Sequence, residues 1–380
     1  MPQPARLPQA LRLTTLTVVS AALAIVCSAV GVPAAWIFAF LIVFGLYSIF
    51  SDHAVNPPNW LMIPAQVMIA VLCAGPLTTI QGADLLRYAG PAALSLVVTM
   101  TLCALGAWAL HRFNGIDGAT GLLATLAGGS SGMVLFAREL KANVQFVALT
   151  QYLRLSVVVL TLPPLVAWLS NISDATPPNS ESHQGFGDAM LAAAQSSLRA
   201  PWQGIAGAIA VGLVVWLLIR VTARWVSVPS PYLLISMGVV VVGVVLGVPE
   251  QFVLPEGAPV NAAYAIIGVQ AGGTLTKGAL RHFSAALPVI LAVLLGMVAA
   301  SVVTGWVIAQ LSGFSLLDSY LATVPGGVYA VLAFAHDAGS DPLVTVVQVL
   351  RVILMVVAGA YAPTVIRLLR RRNRMGGVAS

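Results

Sequence analysis

Two glutamine–arginine pairs, Gln151 with Arg154 and Gln348 with Arg351, stand inside stretches that are otherwise nearly free of charge. Three residues apart, amide and guanidinium project from one face of a helix. A planar five-donor fork beside an amide suits a carboxylate or similar oxyanion. The same side chains could instead cap the free carbonyls of a broken helix, and one residue could fill both roles. Each pair follows a nearly copied phrase, "LATLAGG" at 123–129 and "LATVPGG" at 321–327. Paired glycines let a chain turn without a Cβ clash and let backbone approach closely. At Gly128-Gly129 and Gly326-Gly327 they are expected to end one half-helix and begin another. Bare amides at the start of the second half would make an anion seat, flanked by Thr125, Ser130 and Ser131 in one phrase and by Thr323 and Tyr329 in the other. A tight hairpin with no ligand would use the same glycines.

The elements that must carry these residues are set by composition. Of 380 residues, 59% are hydrophobic and 8% charged, where a soluble domain has about 25% charged residues. The long apolar runs approach the roughly 20 residues that cross a bilayer core, and they lack the alternation of a barrel strand, so they are expected to be helices. The first, with Arg6 and Arg12 before it, reads as a spanning helix rather than a cleaved leader. Arg154 and Arg351 then lie about ten residues into their helices, roughly 15 Å deep. An arginine at that depth costs at least about 2.5 to 3.5 kcal/mol on insertion scales and usually faces a bundle interior or a watery cavity.

The phrase belongs to a longer repeat. At an offset of 198, Pro33 meets Pro231, Trp108 meets Trp306 and Gly115 meets Gly313; after one deletion Gln151 and Arg154 meet Gln348 and Arg351. The chain divides into a first membrane repeat over 1–170, a polar linker over 171–200, a second repeat over 201–372 and the end of a basic tail over 373–380. Each copy offers five long apolar segments and the shorter stretch holding the phrase. If that stretch enters and returns on one side, 14 of the 18 Lys and Arg share the face of the N-terminus: Arg6, Arg12, Arg112, Arg138, Lys141, Arg220, Arg224, Lys277, Arg281 and the tail's Arg367, Arg370, Arg371, Arg372 and Arg374. Only Arg87 and Arg199 fall opposite. A crossing would leave the bases nearly evenly split. The positive-inside rule therefore favours ten crossings in two inverted repeats, each with a re-entrant or broken helix, both termini cytoplasmic and the linker periplasmic.

Other chemistry leaves little trace. His53, His111, His183, His282 and His336 are scattered without metal-ligand spacing, and there is no nucleophile elbow or phosphate loop. His282, His336 and Asp318 fall at membrane edges, where solvated side chains are the ordinary case. Cys27, Cys73 and Cys103 sit in apolar segments as packing residues. No nucleic-acid fold signature is present. No cofactor, metal or enzymatic activity is expected, and the partners are lipid and a small solute.

With the duplicated "LAT-x-x-GG" and the trailing "Q-x-L-R", the chain resembles the bacterial AbrB-type membrane protein family. The resemblance spans essentially the whole chain, through "LATLAGGSSGMVLFARELKANVQFVALTQYLR", "LATVPGGVYAVLAFAHDAGSDPLVTVVQVLR", "GVPAAW" and "SVPSPYLL". The family usually has Pro-Gly-Gly at the bend; Ala127 replaces that proline here, so a gentler first bend is expected. Members are often labelled ammonia monooxygenases or transcriptional regulators. The absence of clustered ligands and of a DNA-reading domain in the sequence speaks against taking either label directly. The expectation is an inner-membrane secondary transporter of a small, anionic solute, bound by the two Gln/Arg pairs and the glycine bends. The alternative is a membrane-embedded sensor that alters gene expression indirectly.

Overall fold

The computed structural model describes residues 9–78, 84–127, 133, 136–138, 140–172, 186–222, 231–249, 255–355 and 357–358. Among them the chain is helix and connection, with no strand. In order the helices are α1 (Gln9–Ala29), α2 (Ala35–Ser51), α3 (Asn59–Thr78), α4 (Asp84–Asn114), α5 (Gly118–Thr125), α6 (Val144–Ile172), α7 (Phe186–Leu198), α8 (Trp202–Thr222), α9 (Pro231–Val245), α10 (Ala258–Gly273), α11 (Lys277–His282), α12 (Leu287–Ser312), α13 (Leu316–Thr323), α14 (Val328–Asp337) and α15 (Pro342–Met355). Five of these, α1, α4, α6, α8 and α12, contain stretches long and apolar enough to cross a bilayer, and five more apolar helices are shorter. Outward residues such as Val18, Leu105, Trp108, Leu213 and Trp306 are exposed. A chain that exposes large apolar side chains on such helices is a helical membrane protein.

Contacts define two ends of the molecule. At the first end, Asn114 Nδ2 donates to the carbonyl of Ala285 at 2.9 Å, the Gly278 amide donates to Asp52 Oδ1 at 2.6 Å, and the rings of Phe146 and Phe283 meet at 5.3 Å. At the second end, Tyr88 stacks on Phe314 at 5.8 Å, Asp337 Oδ2 accepts from the Ala34 amide at 3.0 Å, and the Ala258 amide donates to the Arg199 carbonyl at 2.8 Å. Helix α4 thus runs from the second end to the first, and α12, its mate at offset 198, runs the other way. Helices α2 and α10, which are not mates, run in parallel. Gly45, Gly268 and Gly272 let them touch: a Cβ on Gly268 would lie 2.5 Å from the Ile37 carbonyl oxygen, and one on Gly272 2.2 Å from that of Leu41. Small residues permit such backbone-to-backbone packing in membranes.

The stretches around the repeated phrase are short helices that stop halfway. Asp117 caps α5 by accepting from the amides of Ala119 and Thr120, and Ser315 caps α13 by accepting from that of Asp318. Both helices end in the same backbone turn, at Leu126 (φ −58°, ψ 128°) and Val324 (φ −56°, ψ 120°). The entry and return of each hairpin are pinned together. The Asn143 amide donates to Thr120 Oγ1 at 2.9 Å in the first copy, and the Asp341 amide donates to Asp318 Oδ1 at 3.1 Å in the second. With Ala127 where the second copy has Pro325, α5 still ends in the same turn as α13, and bonds from α6 hold that end. The first bend itself, Gly128, Gly129, Ser130 and Ser131, lies outside the described residues. Helix α7 occupies the second half of the segment read from sequence as linker; it packs on α1, and Ser197 accepts from Trp36 and, through its carbonyl, from Asn261.

Candidate functional site

An α-helix leaves its last four carbonyls without intrahelical partners. Inside a membrane protein each one needs a donor. For α5 and the residue after it, the donors come mainly from α6. Gln151 Nε2 donates to the carbonyls of Leu123, Ala124 and Leu126 at 2.8, 3.3 and 2.9 Å. Arg154 Nη1 donates to those of Thr125 and Leu126 at 3.2 and 3.1 Å, while its Nη2 donates to Gln151 Oε1 at 2.6 Å. Cys103 Sγ adds a bond to the Thr125 carbonyl, and Thr125 Oγ1 returns one to the Cys103 carbonyl at 2.9 Å.

The second copy repeats this almost bond for bond. Gln348 Nε2 donates to the carbonyls of Leu321 and Val324 at 2.7 and 3.4 Å, Arg351 Nη1 to that of Val324, and Arg351 Nη2 to Gln348 Oε1. Ser301 replaces Cys103 and exchanges bonds with Thr323 at 3.2 and 2.9 Å. Ser95, from the other copy, supplies the donor for the Ala322 carbonyl at 3.4 Å. Each guanidinium thus sits at the negative end of a half-helix, where the macrodipole favours a cation.

The two pairs differ in what lies behind them. Arg351 is 0% exposed and lines no described cavity; Arg154 is 4% exposed and lines one of about 460 Å³. Gln151 lines that cavity too, with Gly327 and the first turn of α14. Gly326 closes against Arg154: a Cβ there would sit 2.6 Å from Nε, and at φ 129° the position admits glycine with least strain. Of the expected site residues, the structure gathers Gln151, Arg154 and Gly327 at this cavity, with Gly326 beside it. Thr125, Thr323, Gln348 and Arg351 are buried in the bonds that end the half-helices.

Five polar residues of the cavity wall escape a reading by repetition: Asn59, Gln66, Tyr152, Tyr232 and Gln270. Their mates at the repeat offset are Gly257, Tyr264, Val349, Ala34 and Leu72. A glutamine in the middle of an apolar helix was the available signal for Gln66 and Gln270. Asn59, Met62, Tyr152 and Gln270 also line a second, open cavity of about 820 Å³, which reaches Asn56, Gly278 and His282 at the first end. Among the described residues no three His, Cys, Asp or Glu side chains come together.

Comparison with known proteins gives the chain its kin. It is 28% identical over 354 residues to the "Putative regulator AbrB" of Escherichia coli (strain K12), covering 90% of this chain and 93% of that protein. It is 27% identical over 287 residues to the "Uncharacterized protein YhjN" of Bacillus subtilis (strain 168), covering 72% of this chain and 69% of that one. The family model described as "Transition state regulatory protein AbrB" matches residues 63–370, most of the membrane-embedded chain. The chain belongs to this AbrB family.

Proposed function

We propose that the protein is an inner-membrane secondary transporter of a small anionic solute, working by alternating access between two inverted repeats. The observation that carries this reading is the Arg154 cavity: a buried cation and a helix amino terminus face a space that connects toward one end of the molecule, while the other end is held shut. Two features of packing support inversion. The mates α4 and α12 run in opposite directions, and α2 runs parallel to α10, the third long helix of the other copy. Copies inserted in the same sense would reverse both relations. With α5 and α13 entering and returning from opposite ends, each copy contributes five crossings, ten in all, and the broken elements meet midway. Arg112, Lys277 and Arg281 belong to segments at the end where the cavity opens, which supports reading that end as cytoplasmic.

In this scheme Gln151 and Arg154 bind the solute in the inward-open state. Gln348 and Arg351 hold the partner hairpin, and their turn comes as the other copy opens. The test is flux in proteoliposomes. The wild-type protein is expected to give gradient-dependent uptake of a small organic anion that empty vesicles lack, and Arg154→Gln is expected to abolish it without loss of membrane insertion. Equal uptake by the variant overturns the site. The regulator in the name of the Escherichia coli relative suggests the other reading, in which the same cavity is a receptor pocket; expression changes on solute addition with no flux would favour it.

A further inference from the structure

Among its described lining residues the Arg154 cavity holds one cation and no acid, and we propose that it selects a single carboxylate carried on an uncharged organic body. The assignment rests on the reading of this cavity as the solute site. Arg154 is 4% exposed, yet among the described residues its Nε–H has no acceptor. Its Nη groups are spent on the α5 carbonyls and on Gln151, so an unused donor stands beside Gly326, two residues before the start of α14. There the first internal bond of the ten-residue helix runs from the Val331 amide to the Gly327 carbonyl at 2.8 Å. Gly327 has no side chain to cap the amides of Val328, Tyr329 and Ala330, and these residues line the cavity with Arg154. An unpaired guanidinium N–H and the positive end of a helix thus stand together at the wall of one cavity, a pairing that suits a carboxylate.

The rest of the wall sets the body of the ligand. Among the described lining residues Arg154 alone is charged; the others are amides, hydroxyls and apolar side chains such as Met62, Ile63 and Ile267. A zwitterionic amino acid would bury its ammonium with no acidic partner, and a dicarboxylate would bury a second negative charge against a single cation. Both are costly away from water. A monocarboxylate meets neither penalty, and apolar walls reward a carbon chain over a bare inorganic anion.

Calorimetric titration of the purified full-length protein with n-butyrate, succinate and L-alanine tests this. Butyrate is expected to bind saturably, with succinate and alanine weaker by about tenfold or more. Gln270→Glu, isosteric and in the cavity wall, is expected to weaken butyrate by about tenfold and to strengthen alanine, because it cancels the site's net charge. Arg154→Lys keeps the charge but loses the fork, and is expected to weaken butyrate while the protein still melts cooperatively. Succinate or alanine binding as well as butyrate, butyrate affinity unchanged in the Gln270→Glu protein, or no butyrate binding by folded wild-type protein would each overturn the proposal. The two readings fail separately. Butyrate binding without flux in vesicles defeats transport and leaves the site, whereas flux of another solute without butyrate binding defeats the site and leaves transport.

Discussion

Arg154 and Arg351 make nearly the same bonds in different surroundings, and that difference sets what the loss of each should cost. Replacing Arg351 by Met leaves Gln348 Oε1 unpaired and removes the stronger donor to the Val324 carbonyl, in a place water does not reach. A buried polar group left unsatisfied costs about 1 to 3 kcal/mol, so Arg351→Met is expected to lose about 2 to 4 kcal/mol. Arg154→Met orphans similar groups beside a cavity that admits water, and is expected to lose less. Thermal unfolding of both variants in detergent checks the order; a more stable Arg351→Met protein would contradict it. The pairing itself was legible in sequence, since a Gln and an Arg three apart in an apolar run must share a face and need partners. That those partners could be the free carbonyls of a broken helix was legible too, but which carbonyls they are was not. Helix-end carbonyls contributed by Leu123 or Leu321 carry no side-chain signature, and only the tertiary approach of α5 to α6 and of α13 to α15 brings them into reach.

At the scale of the element, the two hairpins are seated against their long neighbours by one close approach built two ways. In the first copy the glycine is on the hairpin: a Cβ on Gly121 would lie 3.2 Å from the Ala107 carbonyl oxygen of α4. In the second it is on the long helix, where a Cβ on Gly305 would lie 2.8 Å from the Cα of Tyr320 in α13. Ala107 is the mate of Gly305, and Gly121 is the mate of Ser319, so the glycine has changed sides while the spacing is kept. An alignment of the copies letter by letter hides this, because neither glycine faces a glycine. The approach brings Cys103 and Ser301 within bonding distance of Thr125 and Thr323. Gly305→Val is therefore expected to push α13 away and cost about 1 to 3 kcal/mol. Gly296→Val, in the same helix with no atom within 4 Å of its would-be Cβ, is expected to change stability by less than about 1 kcal/mol. Unfolding midpoints of the two variants decide the matter, and equal losses would mean that helix propensity rather than contact sets the cost.

For the whole molecule, the proposed alternating access requires the closed end to be held by bonds that can break. The clearest is a clasp at the end of α14, where Asp337 accepts from the Ala34 amide at 3.0 Å and from the Tyr264 hydroxyl at 3.0 Å. Ala34 and Asp337 belong to different copies, so the carboxylate ties the second hairpin to the first repeat across the face opposite the cavity mouth. Ala34 is itself left-handed at φ 52°, a conformation a non-glycine residue holds only at some cost; the bond from its amide helps to fix it. A charge-assisted hydrogen bond contributes about 1.5 to 3 kcal/mol. Losing two of them in Asp337→Ala would move a two-state equilibrium toward the outward-open form by about a hundredfold or more. Single cysteines in a cysteine-free background report that shift. Asn56→Cys, at the open vestibule, is expected to react with an impermeant maleimide from the cytoplasmic side and to become protected when Asp337→Ala is added. Ala333→Cys, whose position is buried beneath the clasp and whose carbonyl accepts from Tyr264, is expected to gain reactivity from the periplasmic side in the same background. If Asp337→Ala leaves both labelling patterns as they were while the protein remains folded, the clasp is not the gate, and the closed face must be held by the apolar packing of α14 on α3 and α10 alone.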